Sequence, residues 1–398
     1  MRRFFFLIFV LITLSLGAGS LARGQSQIEV NILQVESIFG EQISMQAEFI
    51  SENPIVGVQV FIQSLSLAPS LIDQTSFISP NQIHFTIDLN DHPIQVFSQI
   101  DYWFQFELEN GDFLTSEIFN FDYTDNRFEW QSLITDEFEI FWYQGDQDFG
   151  ELVLSVTYEG LARIREIVQV PQPEKVKFYI YASSEELQKT LRDAGELTNQ
   201  IAGHSNSILG VIVVSIPPDT SQILEIKRQI PHELSHILLY KKLGNGYVNL
   251  PQWLSEGVAS AAELLPNPNY PILLNRAYDR DALIAISELC IHFPSDAANY
   301  QLAYAQAASF TWFLHDLYGS EKMESLLASY AAGLDCGQGV SQVYASSLSQ
   351  LEQSWRQNQF HENPILALLI EIAPWLILLA AILVPIIILS LGGRTKKG

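Results

Sequence analysis

The segment Pro231-His232-Glu233-Leu234-Ser235-His236 sets two histidines four residues apart with a glutamate beside the first. A second glutamate, Glu256, lies in Trp253-Leu254-Ser255-Glu256-Gly257, with nineteen residues between it and His236. On a helix, positions four apart share a face, so both imidazoles project together while the Glu233 carboxylate stands free beside them. Two imidazole nitrogens and one carboxylate from a second helix make an open tetrahedral site for zinc, with the fourth position left to water. Hydrolytic chemistry needs that opening; a closed structural site lacks it.

The same string arises by chance on surface helices, so its surroundings matter. Apolar residues at Ile223, Leu224, Ile226, Ile230, Leu234, Ile237 and Leu238 form a helix-like stripe between Thr220 and the terminating Gly244, with Lys241 and Lys242 in the last turn. The motif is therefore predicted to sit on a helix. Pro251 can open a second helix after the short connection 244–250, which places Glu256 in its second turn. Glu256 is a lone acid among Leu254, Val258, Ala259, Ala261 and Ala262, where burial without a partner is costly and a metal is the natural partner.

This arrangement resembles the gluzincins, the thermolysin-like zinc metallopeptidases, and most closely their peptidase MA-like branch. The resemblance runs from roughly Phe128 to Phe360. It rests on HELSH and WLSEGVA, and is supported by Ala303-Tyr304-Ala305-Gln306, by Ser309 to Leu314, by Tyr318-Gly319, and by Leu348 to Glu352 with Trp355. It implies an α+β zincin domain in which His232, His236 and Glu256 hold zinc and Glu233 is the general base. It also implies a hydrogen-bond donor to the oxyanion, Tyr304, with Tyr300 one turn earlier as the substitute; a ring packed on an amphipathic helix is the competing reading of Tyr304. Thermolysin-like enzymes carry an acid four residues after the glutamate ligand to orient a zinc-bound histidine, and Ser260 stands there instead. Ser260, Glu263 or a backbone carbonyl remain as the orienting group.

The two ends carry different information. Residues 1–24 run from Arg2 and Arg3 through an apolar stretch to small residues, the order of a secretory signal peptide, with an uncleaved amino-terminal anchor as the alternative. Residues 372–391 contain no charge and are long enough to cross a bilayer at about 1.5 Å per residue. The basic tail 392–398, with Arg394, Lys396 and Lys397, follows a juxtamembrane segment at 361–371 and the span itself. The positive-inside rule then makes the tail cytoplasmic and the body extracytoplasmic in a single-pass cell-membrane protein. The body between the two ends holds 15 basic residues against 45 acidic ones, a net charge of −30. Such a balance excludes nucleic acid as a partner, since that needs a basic footprint, and suits a soluble exported domain. Cys290 and Cys336 lie in this body and pair in a disulfide or stay as two buried thiols.

N-terminal to the motif, Gly210 to Ser215 reads as a compact strand, Val211-Ile212-Val213-Val214. By resemblance it is an edge strand that pairs with extended substrate, or else an ordinary internal strand. A strand at Glu137 to Trp142, a helix at Phe149 to Val168, a strand at Lys175 to Tyr181 and a serine-capped helix at Ser184 to Asp193 precede it. The resemblance makes residues 126–360 a peptidase MA-like gluzincin domain, the expected catalytic domain. Residues 25–125 differ: Ile83, Phe85, Ile87 and Leu89 alternate with polar residues, as do Tyr102, Phe104, Phe106 and Leu108. About seven such runs separated by turn signals predict an all-β immunoglobulin- or fibronectin-like sandwich, a spacer or packing domain in the first instance.

The expectation is a membrane-anchored zinc metallopeptidase acting on peptides or proteins outside the cytoplasm. Two other classes fit parts of the sequence: a catalytically degenerate surface binding protein that uses the sandwich, and a zinc hydrolase of a non-peptide substrate. A tag fused after Gly398 should resist protease added to intact cells while the body is digested; a tag cut from outside would reverse the topology.

Overall fold

In the computed structural model the described residues are 28–64, 70–74, 76–79, 81–193, 203–361, 372–379 and 381–384. They fall into two compact units, divided at 92/93, 98/99 and 123/124.

The first unit is all β among the described residues. Its strands are β1 (Glu29–Ile38), β2 (Gln42–Ile50), β3 (Ile55–Ser64), β4 (Ser70–Gln74), β5 (Ser76–Ser79), β6 (Gln82–Asp88), β7 (Ser98–Leu108), β8 (Phe113–Thr115) and β9 (Phe119–Tyr123). One antiparallel sheet has the order β1-β2-β6-β5; a second has β4-β3-β7-β8, with β9 also on β7. The period-two alternation of β6 and β7 buries Ile83, Phe85, Ile87, Tyr102, Phe104 and Phe106. Phe49 of β2 meets Phe106 at 5.0 Å between ring centroids, and Phe85 of β6 meets Phe104 at 5.8 Å, so aromatic pairs join the two sheets face to face.

The second unit begins with a mixed sheet of order β10-β11-β12-β14-β13: β10 (Gln131–Ile134), β11 (Phe138–Trp142), β12 (Val176–Tyr181), β13 (Gly203–Asn206) and β14 (Val211–Ser215). Strands β11, β12 and β14 run parallel; β10 and β13 close the two edges antiparallel. Strand β14 is therefore internal, paired on both sides, and among the described residues the edge position belongs to β13. Its five consecutive buried residues follow from that central place.

Helices α1 (Gln147–Ile167), α2 (Ser184–Asp193), α3 (Gln222–Leu243), α4 (Gln252–Ala262), α5 (Tyr270–Asp279), α6 (Ala297–Tyr318), α7 (Ser320–Ala331), α8 (Cys336–Tyr344) and α9 (Leu348–Gln359) make up the rest of the described unit, with short 3-10 turns. The cap of α2 is Ser183, whose Oγ accepts from the Glu186 amide at 3.2 Å. Close approaches lock the helices. A Cβ at Gly160 of α1 would lie 2.9 Å from Pro231 of α3, and one at Gly257 of α4 would lie 2.2 Å from Thr311 Oγ1 and 2.7 Å from the Ala307 carbonyl of α6. Cys290 and Cys336 are joined in a disulfide, and the Trp253 indole of α4 donates to Cys336 Sγ at 3.4 Å.

Among the described residues no helix is long and apolar enough to cross a membrane. Of the span expected at 372–391, residues 372–379 and 381–384 are described, and they are helical with exposed apolar side chains, Trp375 at 71% and Ile377 at 69%. The signal peptide at 1–24, most of the juxtamembrane segment at 361–371 and the tail at 392–398 lie outside the described residues.

Gly257 tests how tightly α4, and Glu256 with it, is held. Gly257→Ala must push α4 from α6 and should destabilise the unit by about 1–3 kcal/mol. Thermal unfolding should therefore begin several degrees lower; an unchanged transition would mean the contact is not as close as described.

Candidate active site

Helix α3 carries His232, Glu233 and His236, and α4 packs beside it to present Glu256. The Nε2 atoms of His232 and His236 stand 3.4 and 3.7 Å from the same atom, Glu256 Oε2. His232, His236 and Glu256 each offer a ligand atom, all within 4.8 Å of one another. Glu256 Oε2 is buried and has no hydrogen-bond partner among the described residues. A buried carboxylate oxygen without a donor costs several kcal/mol by order of magnitude, so the three converging atoms fit a metal ion, which would satisfy that oxygen and both nitrogens together.

The far sides of both rings are held. His232 Nδ1 faces Glu263 Oε1 at 3.2 Å, and Glu263 is only 3% exposed. His236 Nδ1 is 3.0 Å from the Tyr247 hydroxyl and 3.4 Å from Ser255 Oγ, which are themselves 3.2 Å apart. With each Nδ1 engaged outward, each Nε2 is left to face the metal position. Glu263 thus takes the orienting part that Ser260 does not. Tyr247 was not among the residues the sequence singled out; it lies in the short turn Gly244–Asn249, and its spacing from His236 says nothing until that turn folds back.

Electrostatics point the same way. Burial alone would push the His232 pKa down, yet Glu256, Glu263 and Glu233 together hold it well above the usual histidine value. Burial likewise opposes ionisation of Glu256, but His236 and His232 hold it well below the usual carboxylate range. The pocket is built to carry positive charge among its carboxylates. Burial pushes the Tyr247 phenol up to about 12, which keeps it a neutral hydroxyl at working pH.

Glu233 is buried beside the metal position, and β13 runs against it: a Cβ at Gly203 would lie 2.7 Å from Glu233 Oε1. Glycine is what permits this approach. Tyr304 of α6 shares the cavities of the histidines, with its ring 6.0 Å from that of His232. Its hydroxyl is 3.1 Å from that of Tyr300, and Phe293 packs edge-on against it at 5.1 Å. Burial, then the charge of Glu256, drives the Tyr304 pKa far up, so its O–H remains a donor.

The family model described as Peptidase MA superfamily matches residues 156–360, just over half of the chain. The chain belongs to the peptidase MA superfamily. The match starts within α1 and includes both helices of the candidate centre. A peptidase MA fold is one in which a protease reading and a His-His-Glu metal site are at home. No curated protein matches the chain. Solved structures overlap about a quarter of it. A carbohydrate-binding module family 56 β-1,3-glucan binding domain is 17% identical over 23% of this chain and 98% of its own, with a TM-score of 0.17. The sensor domain of the anti-sigma factor RsgI4 of Pseudobacteroides cellulosolvens is 12% identical over 25% of this chain and 97% of its own, with a TM-score of 0.19. TM-scores this low carry no structural argument.

Removing an outward partner should weaken metal binding without removing a ligand. Tyr247→Phe and Glu263→Gln should each lower affinity about 10- to 100-fold, read by competition with a chelator using zinc as the probe. Wild-type affinity in both variants would show that the rings are oriented by other means.

Proposed function

We propose that this chain is a zinc metallopeptidase of the gluzincin type, and one observation carries the reading: two imidazole nitrogens converge on a buried carboxylate oxygen that has no other partner, with Glu233 and Tyr304 lining the same space. His232, His236 and Glu256 would hold the ion. Zinc bound there supplies Lewis acidity, lowering the pKa of a water molecule toward 7 and polarising a peptide carbonyl. Glu233 accepts the proton of the attacking water and returns it to the leaving amine. Tyr304, kept protonated by burial, donates to the oxyanion as charge develops on it, and Tyr300 steadies that hydroxyl. Strand β13 stands last in its sheet order among the described residues and runs beside Glu233, so an extended peptide is read as lying along it; this role moves from the strand the sequence suggested, Val211–Ser215, to its neighbour.

The body is read as extracytoplasmic, anchored by the C-terminal apolar segment. Trp375, Leu376, Ile377, Leu378 and Leu379 are all exposed on one short helical stretch, and a helix apolar all round calls for lipid or a protein interior. The exported setting agrees with the Cys290–Cys336 disulfide. The two facing sheets of the first unit are read as an immunoglobulin- or fibronectin-like sandwich, a non-catalytic companion to the peptidase unit.

Glu233→Gln separates base from ligand. The variant should retain zinc while peptide hydrolysis falls about 10²- to 10⁴-fold, whereas Glu256→Gln should lose metal affinity itself. The measurement is zinc content together with cleavage of a random peptide library by the full-length protein. Near-normal turnover by zinc-loaded Glu233→Gln would rule out the mechanism.

A further inference from the structure

Two cavities meet at Glu233 and share Gly203, His232, Tyr300 and Tyr304. One, of about 330 Å³, passes His236, Gln252 and Tyr247 along β13. The other, of about 300 Å³, turns toward the N-terminal end of α3, and none of its lining residues is aliphatic. Glu225, Arg228 and Gln229 line that end of it.

Arg228 precedes His232 by four residues, so it stands one turn away on the face that carries the candidate metal ligands. Among the described residues its side chain has one hydrogen-bonding partner, Glu225 Oε1, reached through Nη2. A guanidinium has five N–H donors in a planar fork, so most of its capacity is unspent. Of the acids lining this cavity, Glu225 is committed at both oxygens, Oε2 accepting from Gln229 Nε2 at 2.8 Å and Oε1 from Arg228. Glu263 is engaged at Oε1 by His232, and its buried Oε2 has no partner among the described residues. What this cavity offers a ligand is a partly exposed cation one turn from the reacting centre.

We infer that Arg228 determines specificity by binding a carboxylate on the substrate residue next to the scissile bond, either an acidic side chain or the chain's own C-terminal carboxylate. The inference rests on the peptidase reading of this site. A basic side chain would meet the like charge of Arg228, and an apolar one could pack on the rings of Tyr270, Tyr300 and Tyr304 but would leave the guanidinium without a ligand. A carboxylate can take two parallel N–H bonds from the fork.

The test uses the zinc-loaded full-length protein and peptides that differ at one position flanking the cleavage site, Glu, Gln, Leu or Lys, each with a free or amidated C-terminus. Carboxylate-bearing peptides should be cut with kcat/KM about tenfold or more above the others. Arg228→Gln should lower kcat/KM for those peptides roughly 10- to 100-fold while changing the rest by about twofold or less. Arg228→Glu should turn the preference toward Lys. Preference that survives amidation assigns the carboxylate to a side chain; preference that vanishes with it assigns it to the C-terminus. Equal losses across the series in Arg228→Gln, or a wild-type preference for Leu or Lys, would overturn the inference. Calorimetric binding of the same peptides to Glu233→Gln protein, with and without Arg228→Gln, decides it independently of turnover: a Glu-over-Leu ranking that disappears with Arg228 supports it, and a flat ranking overturns it. Failure of the wild type to cut any peptide would instead reject the peptidase reading.

Discussion

The centre of this molecule is organised by a carboxylate that cannot be left alone. Glu256 rises from α4, a helix whose other residues are nearly all buried, and its Oε2 ends away from water with no donor. Desolvating a charged oxygen in this way is tolerable only if positive charge is brought to it. Both histidines of α3 are aimed there, and their rings are in turn steered by Glu263 and Tyr247. The small residues of α4 and α6 serve the same end. Gly257, against Thr311 and Ala307, lets α4 sit deep enough for Glu256 to reach the imidazoles.

Pro231 contributes a second constraint. Inside α3 it has no N–H to give the carbonyl of Lys227, one turn back. That carbonyl accepts instead from the Leu264 amide at 2.9 Å, which ties α3 to the chain just beyond α4. Leu264 directly follows Glu263. A gap in the helix ladder is thereby turned into a tether that places the carboxylate behind His232, next in sequence to Pro231. The ring of Pro231 also packs against Gly160, so the same residue fixes the distance between α3 and α1.

This explains which parts could be read in the sequence. HELSH and Glu256 were legible because helical periodicity alone sets His232 and His236 on one face, and a lone acid in an apolar helix asks for a partner. The alternation of β6 and β7 was legible for the same reason, since period-two burial depends only on neighbours along the strand. Tyr247, Glu263 as the choice over Ser260, and β13 as the edge strand were not. Each depends on how separate segments meet: a turn folding back onto His236, a helix end tethered through Lys227, and a four-residue strand with no apolar pattern, His204-Ser205-Asn206 after Gly203. The pairing of Cys290 with Cys336 was open for a like reason, because 46 residues of intervening chain carry no signal of their closure.

Charge around the centre is unevenly distributed, and that asymmetry bears on what the site can accept. Glu256, Glu263 and Glu233 crowd His232 so strongly that its pKa rises although burial opposes the charge. A cation at the His-His-Glu position relieves that field locally, but Glu225 and Glu263 still line the cavity toward the start of α3. An anionic substrate group entering there would be repelled unless a cation stands in its path. Besides His232, Arg228 is the one basic side chain among that cavity's described lining, and Glu225 holds it by a single nitrogen rather than enclosing it. The ion pair therefore does two things at once. It removes a surplus negative charge from the cavity, and it pins one end of a long side chain so that the rest of its fork is presented with less rotamer entropy left to lose on binding.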